Sequence, residues 1–419
     1  MSNWQKVNLD KLCFFEKGKT GLAKAIPGDY PLVTTSAERK TNDSYQFDTK
    51  AVCIPLVSST GHGHASLNYV HYQEGKFALG TILVALIPKD ETILNAQFLH
   101  LYLSRLKDII LVPLMSGAAN VSLSISKIKT VEIPLPPIDE QLKIVELFKN
   151  LVNENNELVE EINTQQSLLK QLKQTILQEA IEGKLTAKYR AKNPDIGTAK
   201  ELLEQIKTEK EQLVKDKKIK ASKPLAPINE DEIPFDIPPT WEWYRLGDYS
   251  INRDGERKPI SQIERENRAK IYDYYGASGV IDKIDGYTHD GIFLLIGEDG
   301  ANLISRTTPI AFIANGKFWV NNHAHVLEFL NIVSLSYVEK YINAINLKPY
   351  VTGGFQPKLS QANLNNILIS IPPIEEQKEI VATIEKLFAI CDELEAEINQ
   401  NKTTVDNLMA TVLKEAFEN

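Results

Sequence analysis

The sequence predicts a duplicated α+β protein: two mixed α/β globular halves, each running into a long helix that forms a coiled coil. Three observations predict this. Residues 133–183 align without gaps onto residues 369–419, with 20 of 51 positions identical. Each copy opens on a Pro-Pro pair and continues as an apolar heptad. Ahead of each copy, short β-like runs are mixed with a single amphipathic helix.

The repeat extends upstream of the helices. Trp4 and Leu9 match Trp241 and Leu246, Ser116-Gly117-Ala118 falls on Thr352-Gly353-Gly354, and Gly75-Lys76-Phe77 falls on Gly316-Lys317-Phe318. The expected order is a globe over residues 1–135, a long helix over 136–185, a helical and Pro-rich linker over 186–239, a second globe over 240–371 and a second long helix over 372–419. Candidate strands are 51–57, 80–87, 292–296, 309–314 and 324–329, and candidate helices are 97–110 and 334–345.

The long helices are readable residue by residue. Pro136-Pro137 and Pro372-Pro373 forbid helix before them and so set where it begins. Asp139-Glu140 and Glu375-Glu376 then fall in the first turn, where acids complement the helix dipole. The expected seam of the first helix is Ile144, Phe148, Leu151, Leu158, Ile162, Gln165, Leu169 and Leu172. That of the second is Ile380, Ile384, Leu387, Leu394, Ile398, Asn401, Val405 and Leu408. Both copies carry an amide at the same seam position, either a buried register device or a side chain wetted at a loose layer. Residues 198–220 read as a polar, Lys-rich helix, and the proline-dotted stretch 223–239 reads as extended linker.

Charge is distributed unevenly. The net charge of −8 comes chiefly from the helices, −4 over residues 133–185 and −7 over residues 369–419, while residues 1–132 carry +3. Acidic helix faces suit solvent or a protein partner, and the near-neutral globes permit nucleic acid. Cys13, Cys53 and Cys391 lie too far apart to suggest a disulfide framework or a metal pair. The first residues lack an apolar core and no apolar run is long enough to span a bilayer, so neither a signal peptide nor a membrane partner is expected, and the cytoplasm is the default location.

Pro136-Pro137-Ile138-Asp139-Glu140-Gln141 with its heptad helix ending Glu179-Ala180-Ile181-Glu182-Gly183-Lys184-Leu185, its second copy from Pro372 to Phe417, and Ile233-Pro234-Phe235 followed by Trp241-Glu242-Trp243-Tyr244-Arg245-Leu246-Gly247-Asp248 resemble the specificity subunits of type I restriction–modification systems. The resemblance covers essentially the whole chain. It implies two target recognition domains at opposite ends of an antiparallel helix pair, each reading one half of a split double-stranded DNA target. It further implies that the helices set the spacing and dock two methyltransferase subunits, with restriction subunits completing the complex. The subunit itself is then not an enzyme and holds no cofactor; S-adenosylmethionine, ATP and magnesium belong to the partners. Helix geometry agrees with this: 44 residues at 1.5 Å rise span roughly 65 Å, enough to separate two major-groove readers by one to two turns of DNA.

Direct readout needs donor–acceptor side chains on elements that enter a groove. The halves diverge where such residues cluster: Ser58–Gly63 against Gly297–Asn302, and Thr81-Ile82-Leu83 against Asn322-His323-Ala324. The candidate DNA contacts are Ser59, Thr60, His62, His64, Asn68, Thr81, Asn120, Ser122 and Lys127 in the first half. In the second they are Arg253, Arg257, Lys258, Tyr275, Ser278, Asn302, Arg306, Asn322, His323, Gln356 and Lys358. The alternatives are loops drifting freely, Gly-rich loops packed on the helix root, a solvated charge cluster at 253–258, and core tyrosines before a turn at 274–275.

Chemistry-bearing motifs are weak. Gly18-Lys19-Thr20 resembles a phosphate-loop ending, but Cys13 stands where its first glycine belongs. The Pro-Pro pairs are followed by Ile138, Thr240 and Ile374, without the aromatic of amino-methyltransferases. His62-Gly63-His64 and His323-Ala324-His325 each place two imidazoles on one strand face, but no third ligand is suggested, so no metal is expected. The competing reading is a duplicated coiled-coil scaffold that binds only proteins.

Overall fold

The computed structural model describes residues 4–60, 63–118 and 120–418, with side chains up to residue 408 in the last helix. The chain divides into two compact units, residues 1–163 with 399–419 and residues 164–398.

In the first unit, strands Ala51–Pro55 and Leu83–Pro88 pair antiparallel at the centre of a four-stranded sheet flanked by Cys13–Lys17 and His71–Gln73. They are apolar without alternation because both faces are covered. Val52, Ile54, Val84 and Leu86 pack on helix α1 (Ala96–Arg105) through Phe98, Leu99 and Leu103. Ala51, Cys53, Leu83 and Ala85 face the opposite way, onto Phe77 and Leu79 of a second four-stranded sheet. Asn95 caps α1, its side chain accepting from the backbone N–H groups of Gln97 and Phe98.

The second unit carries a six-stranded sheet in the order 251–252, 324–328, 289–297, 311–320, 272–276, 279–284. Its helix, Ile332–Ala344, is capped by Asn331 in the same way, onto Val333 and Ser334. All five expected strands exist, shifted at their ends by up to three residues except that 309–314 is the start of a longer strand, Ala311–Val320. The expected helix 97–110 breaks into α1 and a further turn, Lys107–Ile110. Within the linker, Ala199–Lys215 is helical, started by a capping box between Thr198 and Glu201.

Each globe is closed by a short antiparallel pair that the sequence did not announce. Gln5–Asn8 pairs with Glu132–Leu135, and Glu242–Arg245 pairs with Leu368–Ile371. The repeated Glu-Gln after Pro-Pro locks that junction twice over. Trp4 Nε1 donates to Glu140 at 3.1 Å and Trp241 Nε1 to Glu376 at 2.8 Å. Gln141 and Gln377 fold back to donate to the carbonyls of Pro136 and Pro372, at 2.8 and 2.9 Å. The first and last strands of a globe are therefore fastened to the root of its helix.

The long helices run Ile138–Ile181 and Ile374–Glu418. Within the second unit they are antiparallel: Lys173 bridges Asp392 and Glu395 at 2.8 Å, while Ser370, just before the second helix, donates to the Ile181 carbonyl at 2.8 Å. Of the expected seam, Phe148, Ile162, Leu169, Ile380, Ile384 and Ile398 are buried, and Ile144, Leu151, Gln165, Leu387 and Val405 half-buried. Leu158, Leu172, Leu394, Asn401 and Leu408 are exposed instead. A heptad drifts on a straight helix by about 20° per repeat, and a lone partner helix covers only one side, so alternate layers reach solvent. Asn401 is thus wetted rather than buried.

Candidate nucleic-acid interface

In each unit, loops that the sequence alignment set against one another are brought side by side. In the first unit they are residues 58–60 with 63–68, 80–82, and 116–118 with 120–122, joined by residues 18–20. Thr81 N–H donates to Thr20 O at 3.1 Å, Leu56 N–H to Ile82 O at 2.8 Å and Ser58 N–H to Val121 O at 3.0 Å. In the second unit, Glu298 N–H donates to His323 O at 2.8 Å, Gly300 N–H to Pro357 O at 3.0 Å and Leu359 N–H to Glu298 O at 2.7 Å. The turn at 277–278 joins them, because Gly297 sits so close that a Cβ there would meet Ala277 O at 2.7 Å.

The Gly-rich segments before the helices are tight hairpins, not slack loops. Ser116 and Ser122 exchange both backbone hydrogen bonds at 2.9 and 3.0 Å; Thr352 and Lys358 do the same at 2.9 and 2.8 Å. Gly117 (φ 138°) and Gly353 (φ 85°) make the reversals, in a backbone region that L side chains rarely adopt. A Cβ on either would drive into the carbonyl of Asn120 or Gln356, at 2.2 and 2.5 Å.

The side chains on these frames differ. In the first unit the loop 58–68 is held by hydroxyls: Ser58 Oγ donates to His64 O at 2.6 Å, Thr60 Oγ1 to the same oxygen at 3.3 Å, and Ser59 Oγ accepts from Asn68 N–H at 2.9 Å. Ser59, Thr60, His64, Asn68, Thr81, Asn120 and Ser122 are exposed. His62 lies outside the described residues. Lys127 turns inward, donating to Leu114 O at 2.8 Å and Ser116 Oγ at 3.1 Å, and so anchors the hairpin.

In the second unit the floor is ionic. Arg257 binds Glu298 at 2.6 Å and lies 3.5 Å from Asp254; Lys358 bridges Glu298 at 3.2 Å; His323 Nδ1 lies 2.7 Å from Asp299. Beneath them His325 is buried between Asp254, 2.6 Å from Nδ1, and the Leu359 carbonyl, 2.8 Å from Nε2. Burial alone would push the Asp254 carboxyl up. His325, the Val326 N–H and Arg257 outweigh it and hold the group below the ordinary carboxylate range.

Several of the expected contacts are committed internally by this arrangement. Arg253 is paired with the remote Glu328 and with Glu256 three residues on, and Arg257 with the remote Glu298, so the basic loop read from the sequence is neutralised largely by acids distant in the chain. Arg306 caps the C-terminal end of the later helix Ile332–Ala344, donating to Ile342 O and Ile345 O at 3.0 and 2.5 Å, and burial lowers its guanidinium to about 10. Asn302 closes its own loop onto Thr307 and Thr308. Tyr275 stacks on Phe312 and packs edge-on to Phe318 in the sheet core, beside the buried Tyr274. Lys258, Ser278, Asn322, His323, Gln356 and Lys358 remain exposed. Sequence reasoning missed Phe355, fully exposed at the hairpin tip, because a lone aromatic in a sequence ordinarily signals core.

His323 and His325 are taken by separate aspartates, the His62–His64 pair falls partly outside the described residues, and among the described residues no group of three His, Cys, Asp or Glu side chains could hold an ion. Among them, too, no helix is long and apolar enough to cross a membrane.

Comparison with known proteins places this geometry. Residues 1–166 and 238–401 match the family model described as the type I restriction modification DNA specificity domain. The EcoEI specificity subunit of Escherichia coli is 29% identical over 269 residues, 58% of this chain and 44% of that protein. The chain thus spans less than half the length of that relative. The EcoDI specificity subunit of Escherichia coli is 23% identical over 99% of this chain and 88% of its own. Two solved structures share the fold at 16% identity: the HsdS subunit from Thermoanaerobacter tengcongensis, with a TM-score of 0.56 over 100% of this chain and 97% of that one, and a chain from a study of complex assembly and conformational transition of the type I R-M system, with 0.63 over 99% and 97%.

Proposed function

The chain belongs to the type I restriction modification DNA specificity family, and we propose that it is the non-catalytic specificity subunit of such a complex, reading a split, asymmetric duplex target. Residues 1–135 and 240–371 are the two recognition domains, and the long helices and the linker at 186–239 space them. The observation that carries the reading is the matched pair of loop clusters. Each is a rigid set of hairpins fastened to the root of a long helix, with the same backbone frame and different side chains at its tips. Equal frames with unequal tips suit two readers of unlike half-sites.

The exposed leucines on the helices, Leu158 and Leu172 with Leu142, Leu147 and Leu168, supply apolar surface for two methyltransferase subunits, and their acidic surroundings suit basic partner faces. Restriction subunits join through the same complex. S-adenosylmethionine, ATP and magnesium act on those partners, and the complex works in the cytoplasm.

The test is methylation. Genomic DNA from a host carrying the intact system is sequenced for modified bases, with and without this chain. A two-part motif that appears only with the chain is expected. Modification by the purified chain alone would overturn the non-catalytic reading. The protein-only scaffold is favoured by the same exposed leucines; salt-sensitive binding of the complex to duplex DNA separates the two.

A further inference from the structure

Phe355 stands at the tip of the 352–358 hairpin with its ring fully exposed; the next most exposed phenylalanine among the described residues, Phe14, is 56% exposed. The ring is not on a slack loop. Thr352 and Lys358 close the hairpin, Pro357 O receives the Gly300 N–H, and Leu359 N–H reaches Glu298 O, so the returning strand of the hairpin is tied to the neighbouring loop and the outgoing strand is tied to it through Thr352. Gln356 beside it is also exposed, and among the described residues its amide makes no side-chain hydrogen bond. An exposed apolar ring presented by a backbone-paired hairpin next to a free amide is one of the ways a protein recognises an A·T pair in the major groove: the amide spans adenine N6 and N7, and the apolar group packs on the thymine methyl.

We propose that Phe355 and Gln356 together read one A·T pair in the half-site of the second unit, the ring on the 5-methyl group of thymine and the amide on adenine. This rests on the DNA-reading function proposed above. At the aligned position the first half carries Ala119, so the first hairpin offers no equivalent ring. The feature is therefore a difference in specificity between the halves, not part of their shared frame.

The complex of this chain with its methyltransferase subunits, as wild type, Phe355→Ala and Phe355→Leu, is offered a pool of random duplexes. The wild type selects a two-part motif containing an A·T pair at one fixed position of one half. Phe355→Ala binds that motif about tenfold more weakly and relaxes only that position, while Phe355→Leu stays near wild type. Uracil in place of that thymine weakens the wild type by a similar factor and leaves Phe355→Ala unchanged. An unaltered motif and affinity in Phe355→Ala, an equal uracil effect on both proteins, or loss of methyltransferase from the Phe355→Ala complex overturns the proposal. The last outcome assigns the ring to a protein partner. A wild-type complex that selects no motif removes the DNA-reading function itself, and the proposal with it.

Discussion

The two halves of the chain share a frame and differ in what fills it. Both open and close on a four-residue antiparallel pair, both cap their helix with an asparagine, and both tie Trp to Glu and Gln to proline at the root of a long helix. The loop clusters on these frames are chemically unlike. The first is built from serine and threonine hydroxyls on backbone carbonyls; the second is an ionic lattice in which Asp254, Arg257, Glu298, Asp299, His323, His325 and Lys358 hold one another. The lesson is that repetition conserves the junctions, where backbone geometry must be met, and leaves the tips free.

The largest expected effect tests that separation directly. Replacing residues 240–371 with the matching region of a family member that reads another target should change one half of the methylated motif and leave the other intact. Affinity for the original site should fall by about a thousandfold, to the level of non-specific binding. A change in both halves would mean that the units do not read independently.

Next comes the junction. Glu376 is wholly buried and takes Trp241, Thr186 and Arg190 at 2.8, 2.8 and 2.5 Å, whereas Glu140 is exposed and, among the described residues, takes Trp4 alone. Glu376→Gln leaves Arg190 without its charge partner and should cost about 3 kcal/mol in denaturant unfolding. Glu140→Gln should cost no more than about 0.5 kcal/mol. Equal losses would show that the two junctions carry the same load despite their burial.

Acid should act on His71 and on the Asp254 cluster in different windows, while the buried His289 of the second unit, also depressed chiefly by burial, behaves in the same direction as His71. In the first unit, burial and the neighbouring Arg39 depress the His71 imidazole to about 4, so the neutral ring is the native form. Its stabilisation is complete above the unfolded value near 6.5 and is lost as pH falls from there towards 4, by about 3 kcal/mol at most. In the second unit, Asp254 is also depressed, but from a carboxylate's ordinary value, so its contribution survives until pH falls below that range. Amide hydrogen exchange at pH 7, 5 and 4 should show strands around His71 losing protection before those around Asp254, and His71→Gln should flatten that dependence.

How much of this was legible follows from where the information lies in the chain. The helix starts were readable because Pro-Pro and the following acids act within a few residues. Strands 51–55 and 83–88 were readable because both faces are buried, which writes a continuous apolar run. The closing pairs were not: four residues with a partner more than 120 positions away carry no local pattern. The aligned loops lie side by side within each unit, since the repeat carries their backbone frame. Assigning single residues within them did not follow, because Arg253 and Arg257 look free in sequence while their acids stand as far off as Glu298 and Glu328. Burial of alternate seam layers was equally hidden, since a heptad does not say how many helices share it.

The smallest expected effect isolates one charge on the shared hairpin. Lys358 and Ser122 occupy equivalent places, each paired backbone to backbone across its hairpin with Thr352 or Ser116. Lys358 is half exposed and bridges Glu298, so its ammonium can also reach a phosphate. Lys358→Ala in the assembled complex should weaken binding evenly across sequences and reduce the slope of log affinity against log salt by about 0.9, the release of one counterion. Ser122→Ala should leave that slope unchanged. A changed motif in Lys358→Ala would place the ammonium on a base edge instead. An unchanged slope and motif would mean that it serves only to neutralise Glu298, and the two hairpins would then differ in their folding chemistry rather than in their grip on DNA.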